Sequence, residues 1–253
     1  MSELSRSVKV EDHPIIFSHR GLNLEAPENT MAAFRLAHAR GVQWIETDID
    51  VIADETPILM HDATTDRTTN RPGSVYDLRR EDLSDLDAGS WFGPQYVGEP
   101  VPTLDDLVAF ANETGMNLNV ELKANQQGKE RSLILVEKVA ESLSKLEDHV
   151  SVMICCFSPL LLAEYGRRDP SMDLALLTDR HTLTPDWRSI LELAGATYLH
   201  PEHSSLTPEL TQSIRDAGFG INPWTVNSMA RANELINWGC TGIITDVADV
   251  MMR

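Results

Sequence analysis

Short apolar runs alternate along this chain with longer stretches in which apolar residues recur every three or four positions. Runs such as Pro14-Ile15-Ile16-Phe17-Ser18 are too short for a helix and are bounded by Pro and Gly, the pattern of a buried strand. By this pattern, strands are expected near 14–20, 44–52, 117–123, 150–157, 172–178, 197–202, 219–226 and 242–246. Helices are expected near 28–40, 103–115, 129–146, 159–168, 186–195, 207–217 and 228–238. Thr30 and Ser228 precede helix formers as N-terminal polar residues do. Gly41, Gly115, Gly195, Gly218 and Gly239 fall where helices should stop.

Eight strand candidates with helices between them predict a TIM (β/α)8 barrel within one domain spanning 1–253. A doubly wound sheet has similar content, but the first loop lacks the G-x-G-x-x-G of a dinucleotide fold. One irregularity interrupts the alternation. After Ile58-Leu59-Met60-His61-Asp62 come some 40 polar, Gly- and Pro-bearing residues, read as an insertion over roughly 63–102 between the second strand and second helix.

Charge narrows the classes of partner. Lys plus Arg is 21 and Asp plus Glu is 39, a formal net charge of −18. Nucleic acid and anionic membranes both require a positive field, so no nucleic-acid binding and no stable membrane association are expected. An anionic substrate would have to be held by local cations against the global field. Of the three cysteines, Cys155 and Cys156 are adjacent in an apolar run and no CxxC occurs, so all three are read as buried thiols in a reducing compartment. The first dozen residues are polar and no stretch of 18 apolar residues occurs, which predicts a soluble, cytoplasmic protein.

The candidate chemistry lies at strand ends, where α/β barrels place it. Ser18-His19-Arg20-Gly21 and Pro27-Glu28-Asn29-Thr30 follow the first strand. Trp44-Ile45-Glu46-Thr47-Asp48-Ile49-Asp50 puts acidic residues at every second position, hence Glu46, Asp48 and Asp50 on one strand face. A solvated edge would account for one such strand. Asn119-Val120-Glu121-Leu122-Lys123 repeats the pattern on a second strand. Carboxylates from two strand ends suit a hard divalent cation, Mg²⁺ or Ca²⁺, rather than zinc. Singly, His19 and His61 could be structural; paired beside a carboxylate-held cation they form an acid–base couple fit for phosphodiester cleavage. His200-Pro201-Glu202-His203 reads as a position on the barrel rim, since Pro201 prevents a helix from aligning the two histidines as a second metal site.

Together these residues resemble the glycerophosphodiester phosphodiesterase family, in its short cytosolic bacterial form. The matching motifs are SHRG, PENT, ETDID, HD followed by DRTT, ELK, PWTVN and GIITD, in family order from about residue 14 to 250. The resemblance implies a TIM barrel that hydrolyses small-molecule glycerophosphodiesters to sn-glycerol 3-phosphate and an alcohol. It implies Glu46, Asp48 and Glu121 as metal ligands and His19 and His61 as the acid–base pair. It further implies Arg20 and Lys123 as phosphate contacts, Glu28 near the metal or Arg20, and Asn29 as a helix cap with a possible site contact. Trp224 would pack against the glycerol or the leaving group, or serve as a core residue at the barrel mouth. Thr65, Ala53, Pro223 and the proline-free Thr245–Asp249 segment depart from the family pattern without removing a charged or nucleophilic group. The rivals are a lysophospholipase D or phosphoinositide-type phosphodiesterase on the same barrel, disfavoured by acidity and sparse aromatics, and a catalytically idle phosphate-binding barrel, which predicts a lost ligand or histidine.

Overall fold

The computed structural model describes residues 13–124 and 127–252; the polar first dozen positions and Arg253 therefore lie outside it. Eight parallel strands surround a common axis: β1 (Ile15–His19), β2 (Trp44–Val51), β4 (Asn117–Leu122), β5 (Val152–Cys156), β6 (Asp173–Thr178), β7 (Tyr198–Pro201), β8 (Gly220–Ile221) and β9 (Gly242–Thr245). Their order is β8-β7-β6-β5-β4-β2-β1-β9, with β9 returning to pair with β1. Helices α1 (Met31–Ala39), α2 (Leu104–Thr114), α3 (Gly128–Leu143), α4 (Pro159–Arg168), α5 (Trp187–Ala194), α6 (Pro208–Asp216), α7 (Met229–Trp238) and the short α8 (Ala248–Met251) fill the crossovers. This is a (β/α)8 barrel.

The expected strand near 219–226 is regular only over Gly220–Ile221. Pro223 has no N–H to offer a ladder, so the seam beside β9 is closed by irregular bonds. Thr241 N donates to Ile221 O (2.8 Å), Ile244 N to Pro223 O (3.0 Å) and Val226 N to Ile244 O (2.9 Å). The first helix also starts later than expected, at Met31. Thr30 is its cap, with Oγ1 accepting from Ala33 N (3.3 Å), and Asn29 precedes it with a positive φ of 54°. Asn29 is therefore not the cap; its side-chain amide bonds to Asp48 instead (2.8 Å).

An additional strand, β3 (Pro57–Leu59), folds back antiparallel on β2. Short 3-10 turns over 75–77, 80–85 and 94–96 follow it. This excursion carries its own apolar cluster, centred on Ile58, Val75, Leu83, Leu86 and Val101. The main core lies between strands and helices, with Phe34, Ile45, Leu107, Leu118, Val139 and Leu162 fully buried. A second layer fills the barrel: Met153, Cys155, Ala175, Leu177 and Tyr198, backed by Trp44 and Trp224.

His200 belongs to that inner layer and not to the rim. It is fully buried, its ring centroid 6.3 Å from Phe17, and its Nε2 meets Asn222 Nδ2 at 3.0 Å. Burial alone pushes its pKa down to about 3, so it is a neutral interior group. The reason is the strand period: Tyr198 and His200 share the inward face of β7. All three cysteines are buried and free.

Candidate active site

At the C-terminal ends of the strands, the turn after β1 reverses sharply. Arg20 and Gly21 both have positive φ (55° and 82°). A Cβ at Gly21 would stand 2.7 Å from Ala33 Cβ, so only glycine lets α1 pack this close. The reversal aims Arg20 N at Glu46 Oε2 (3.2 Å) and folds the guanidinium back onto Glu28 Oε1 (2.9 Å). Arg20 Nε also ion-pairs with Asp48 Oδ2 at 3.1 Å, without hydrogen-bond alignment.

Alternation along β2 and β4 brings Glu46, Asp48 and Glu121 together. All are buried, and one ligand oxygen from each lies within 4.8 Å of the others. Lys123 Nζ reaches two of them, Glu121 Oε1 (2.7 Å) and Asp48 Oδ1 (3.2 Å). Asn29 steadies the third side, donating to Asp48 Oδ2 (2.8 Å) while its Oδ1 accepts from Thr47 Oγ1 (2.8 Å). Asp50 accepts instead from the Tyr76 hydroxyl of the excursion (2.8 Å) and stays outside the cluster.

Burial and the charge of Asp48 push Glu46 up to about 8 and Glu121 up to about 7. Burial acts the same way on Asp48, but Lys123 and Arg20 outweigh it and hold that carboxyl well below the usual range. Buried carboxylates that crowd one another in this way gain from a shared cation, and three hard oxygen donors fit a divalent ion such as Mg²⁺ or Ca²⁺.

Each histidine is held through Nδ1 by a carboxylate. His19 Nδ1 meets Asp246 Oδ1 at 2.7 Å, and His61 Nδ1 meets Asp62 Oδ1 at 2.6 Å. This leaves both Nε2 atoms free for proton transfer. Asp246 is itself fixed by Asn23 (2.6 Å) and Asn227 (2.7 Å). Burial would raise its pKa, but the bonds from His19 and Asn23 bring it down to about 2. For His19, burial opposes the charged form, yet Asp246 and Glu46 outweigh burial and its pKa rises. For His61, burial wins over the attraction of Asp48, and the pKa falls. The two imidazoles thus shift in opposite directions.

Asp246, Asp62 and Arg67 were not singled out by sequence reasoning. Arg67 forks onto Glu28 (2.7 and 2.8 Å) and reaches Asp62 with Nε (2.7 Å). It links the Arg20–Glu28 pair to the His61–Asp62 pair. The sequence signals were the motifs that contain them: HD ends on Asp62, DRTT includes Arg67 and GIITD closes on Asp246.

A cavity of about 180 Å³ opens here with two unlike walls. His19, Arg20, Glu46, His61 and Glu121 form one; Cys155, Phe157, Leu177, Trp224 and Ile244 form the other. Asp48 and Lys123 stand outside its lining, paired with each other. Phe157 and Trp224 meet edge to face, centroids 5.7 Å apart at 81°.

Such a site can move protons at both ends of a phosphodiester and neutralise its charge. The model of the glycerophosphoryl diester phosphodiesterase family matches residues 19–250. The chain belongs to this family. A glycerophosphodiester phosphodiesterase of Caldanaerobacter subterraneus is 31% identical over 243 residues, covering 94% of this chain and 96% of the relative. One of Bacillus subtilis is 30% identical, covering 96% of this chain and 86% of the relative. Among solved structures, an Oleispira antarctica phosphodiesterase in complex with the product sn-glycerol-3-phosphate matches with a TM-score of 0.90 and 27% identity, covering 95% of this chain and 96% of that one. As a member of the family, this chain is a phosphodiesterase acting on glycerophosphodiesters. No helix among the described residues is long and apolar enough to cross a membrane.

Proposed function

We propose that this enzyme cleaves water-soluble glycerophosphodiesters to sn-glycerol 3-phosphate and a small alcohol, with His19 and His61 as the proton-transfer pair. The supporting observation is the geometry of these histidines: each is anchored at Nδ1 by a carboxylate, and both line the cavity that holds Glu46 and Glu121. One imidazole takes a proton from the attacking oxygen, of water or of the glycerol 2-hydroxyl, and the other gives a proton to the departing alkoxide. Arg20 faces the phosphoryl oxygens from the cavity wall, and Lys123 adds positive charge beside Glu121. Glu28 orients Arg20 and Asn29 orients Asp48.

Glu46, Asp48 and Glu121 would hold Mg²⁺ or Ca²⁺. Such a cation would supply Lewis-acid charge to a phosphoryl oxygen. Three free buried thiols accord with a cytoplasmic setting, and the reaction belongs to lipid and glycerol metabolism. The test is a coupled assay for glycerol 3-phosphate release from several head-group diesters, with and without chelator. Release that requires a divalent ion supports the proposal; full activity in EDTA overturns it.

A further inference from the structure

The apolar wall of the cavity has no part in the proton transfers above, and its chemistry selects for a particular head group. Its polar atoms are nearly all engaged. Trp224 Nε1 donates to His200 O (2.9 Å), its backbone N donates to Pro201 O (3.0 Å) and its carbonyl accepts from His203 N (2.9 Å). Phe157, Leu177 and Ile244 have no polar side-chain atoms, and Thr225 supplies the single hydroxyl on this side. A glycerol unit or an inositol ring laid here would leave hydroxyls without partners, and a primary ammonium would strand most of its three N–H donors.

A trimethylammonium group has no donors to strand. It presents methyl surface to Leu177 and Ile244, and its charge is attracted by the faces of Phe157 and Trp224, whose perpendicular rings form a corner. The three bonds on Trp224 fix that ring before any ligand arrives, so little ordering is required on binding. A chain of charge −18 favours a cation and disfavours an anionic head group.

We propose that Phe157, Leu177, Trp224 and Ile244 form a trimethylammonium subsite, making choline the preferred leaving alcohol. The inference rests on the phosphodiesterase reading above and extends it to the head group. It is tested with glycerophosphoethanolamine, its N-methyl and N,N-dimethyl forms, and glycerophosphocholine. The expected result is a kcat/KM that rises with each methyl, about 10- to 30-fold across the series. Trp224→Leu and Phe157→Leu should each flatten the series to within about threefold; either variant serves if the other fails to fold. Equal rates for choline and ethanolamine esters would overturn the subsite. So would faster cleavage of lysophosphatidylcholine than of glycerophosphocholine, which would give the wall to an acyl chain.

A binding measurement separates the two ideas. Tetramethylammonium chloride should perturb tryptophan fluorescence saturably, ammonium chloride should not, and Trp224→Leu should abolish the effect. If no diester is cleaved but this binding holds, the subsite stands and the phosphodiesterase reading falls. If diesters are cleaved but tetramethylammonium does not bind, the subsite falls alone.

Discussion

The wall built by β1, β2, β4 and the segment just after β3 holds His19, His61, Arg20, Glu46 and Glu121, with Asp48 and Lys123 paired behind it; the wall built by β5, β6, β8 and β9 holds thiol, aliphatic and aromatic groups. Both come from the same repeating strand–helix unit with the same inward alternation. They differ in what burial does to them. Apolar side chains such as Leu177 and Ile244 gain from leaving water, while Glu46, Asp48 and Glu121 are held there by Arg20, Lys123 and Asn29. The barrel tolerates a strained, charged wall because the opposite wall and the helix layer supply its stability.

Chelation and Glu46→Gln should break the contrast most sharply. Activity is expected to fall to background in both, by glycerol 3-phosphate release. Metal-free Glu46→Gln should melt no lower than metal-free wild type, because one like charge has gone; a collapsed circular dichroism spectrum would assign Glu46 to structure instead. Next, His19→Ala and His61→Ala should each lower kcat by about 10²–10⁴-fold with native spectra. Asp246→Asn is expected to cost about 10- to 100-fold in kcat with KM little changed, since the substituted group touches His19 and not the substrate.

A pH series sharpens the comparison from another side. The folded-state pKa values of Glu46 and Glu121, about 8 and 7, lie above the unfolded value of about 4.3. Between those values the folded chain binds more protons than the unfolded one, so stability falls as pH rises. Metal-free protein should therefore be more resistant to urea at pH 5.5 than at pH 8.5, and saturating Mg²⁺ should shrink the difference. A metal-free midpoint that does not fall between those pH values would contradict the charge crowding at this wall. The smallest effect is expected opposite: Ile244→Val should destabilise by about 1 kcal/mol and change kcat less than tenfold, read by thermal melts and steady-state rates.

Much of the charged wall was legible in the sequence because a strand's period of two is visible in residues 46–50 and 119–123 without any knowledge of neighbours. The same local grammar located most strands and the glycines at helix ends. What it could not give were pairings between distant residues. Asp246 meets His19 across 227 positions of sequence, and Arg67 crosses 39 positions to grip Glu28. His200 was misplaced for a related reason: Pro201 was weighed as a helix breaker, while the inward face of a four-residue strand decided where the imidazole went. Pro223 carried a signal that the pattern of apolar residues overrode, and the irregular seam follows from it.

The His19–Asp246 bond spans 227 residues, and synthesis at roughly 5–20 residues per second separates the two by about 10–45 s. Late in that interval the nascent chain already contains His61, the three carboxylates, Arg20 and Lys123, yet His19 has no partner to fix its tautomer. Only when β9 docks beside β1 does Asp246 reach His19. The pair thus reports the docking of β9, and a ribosome-bound fragment that stops short of Asp246 lacks it.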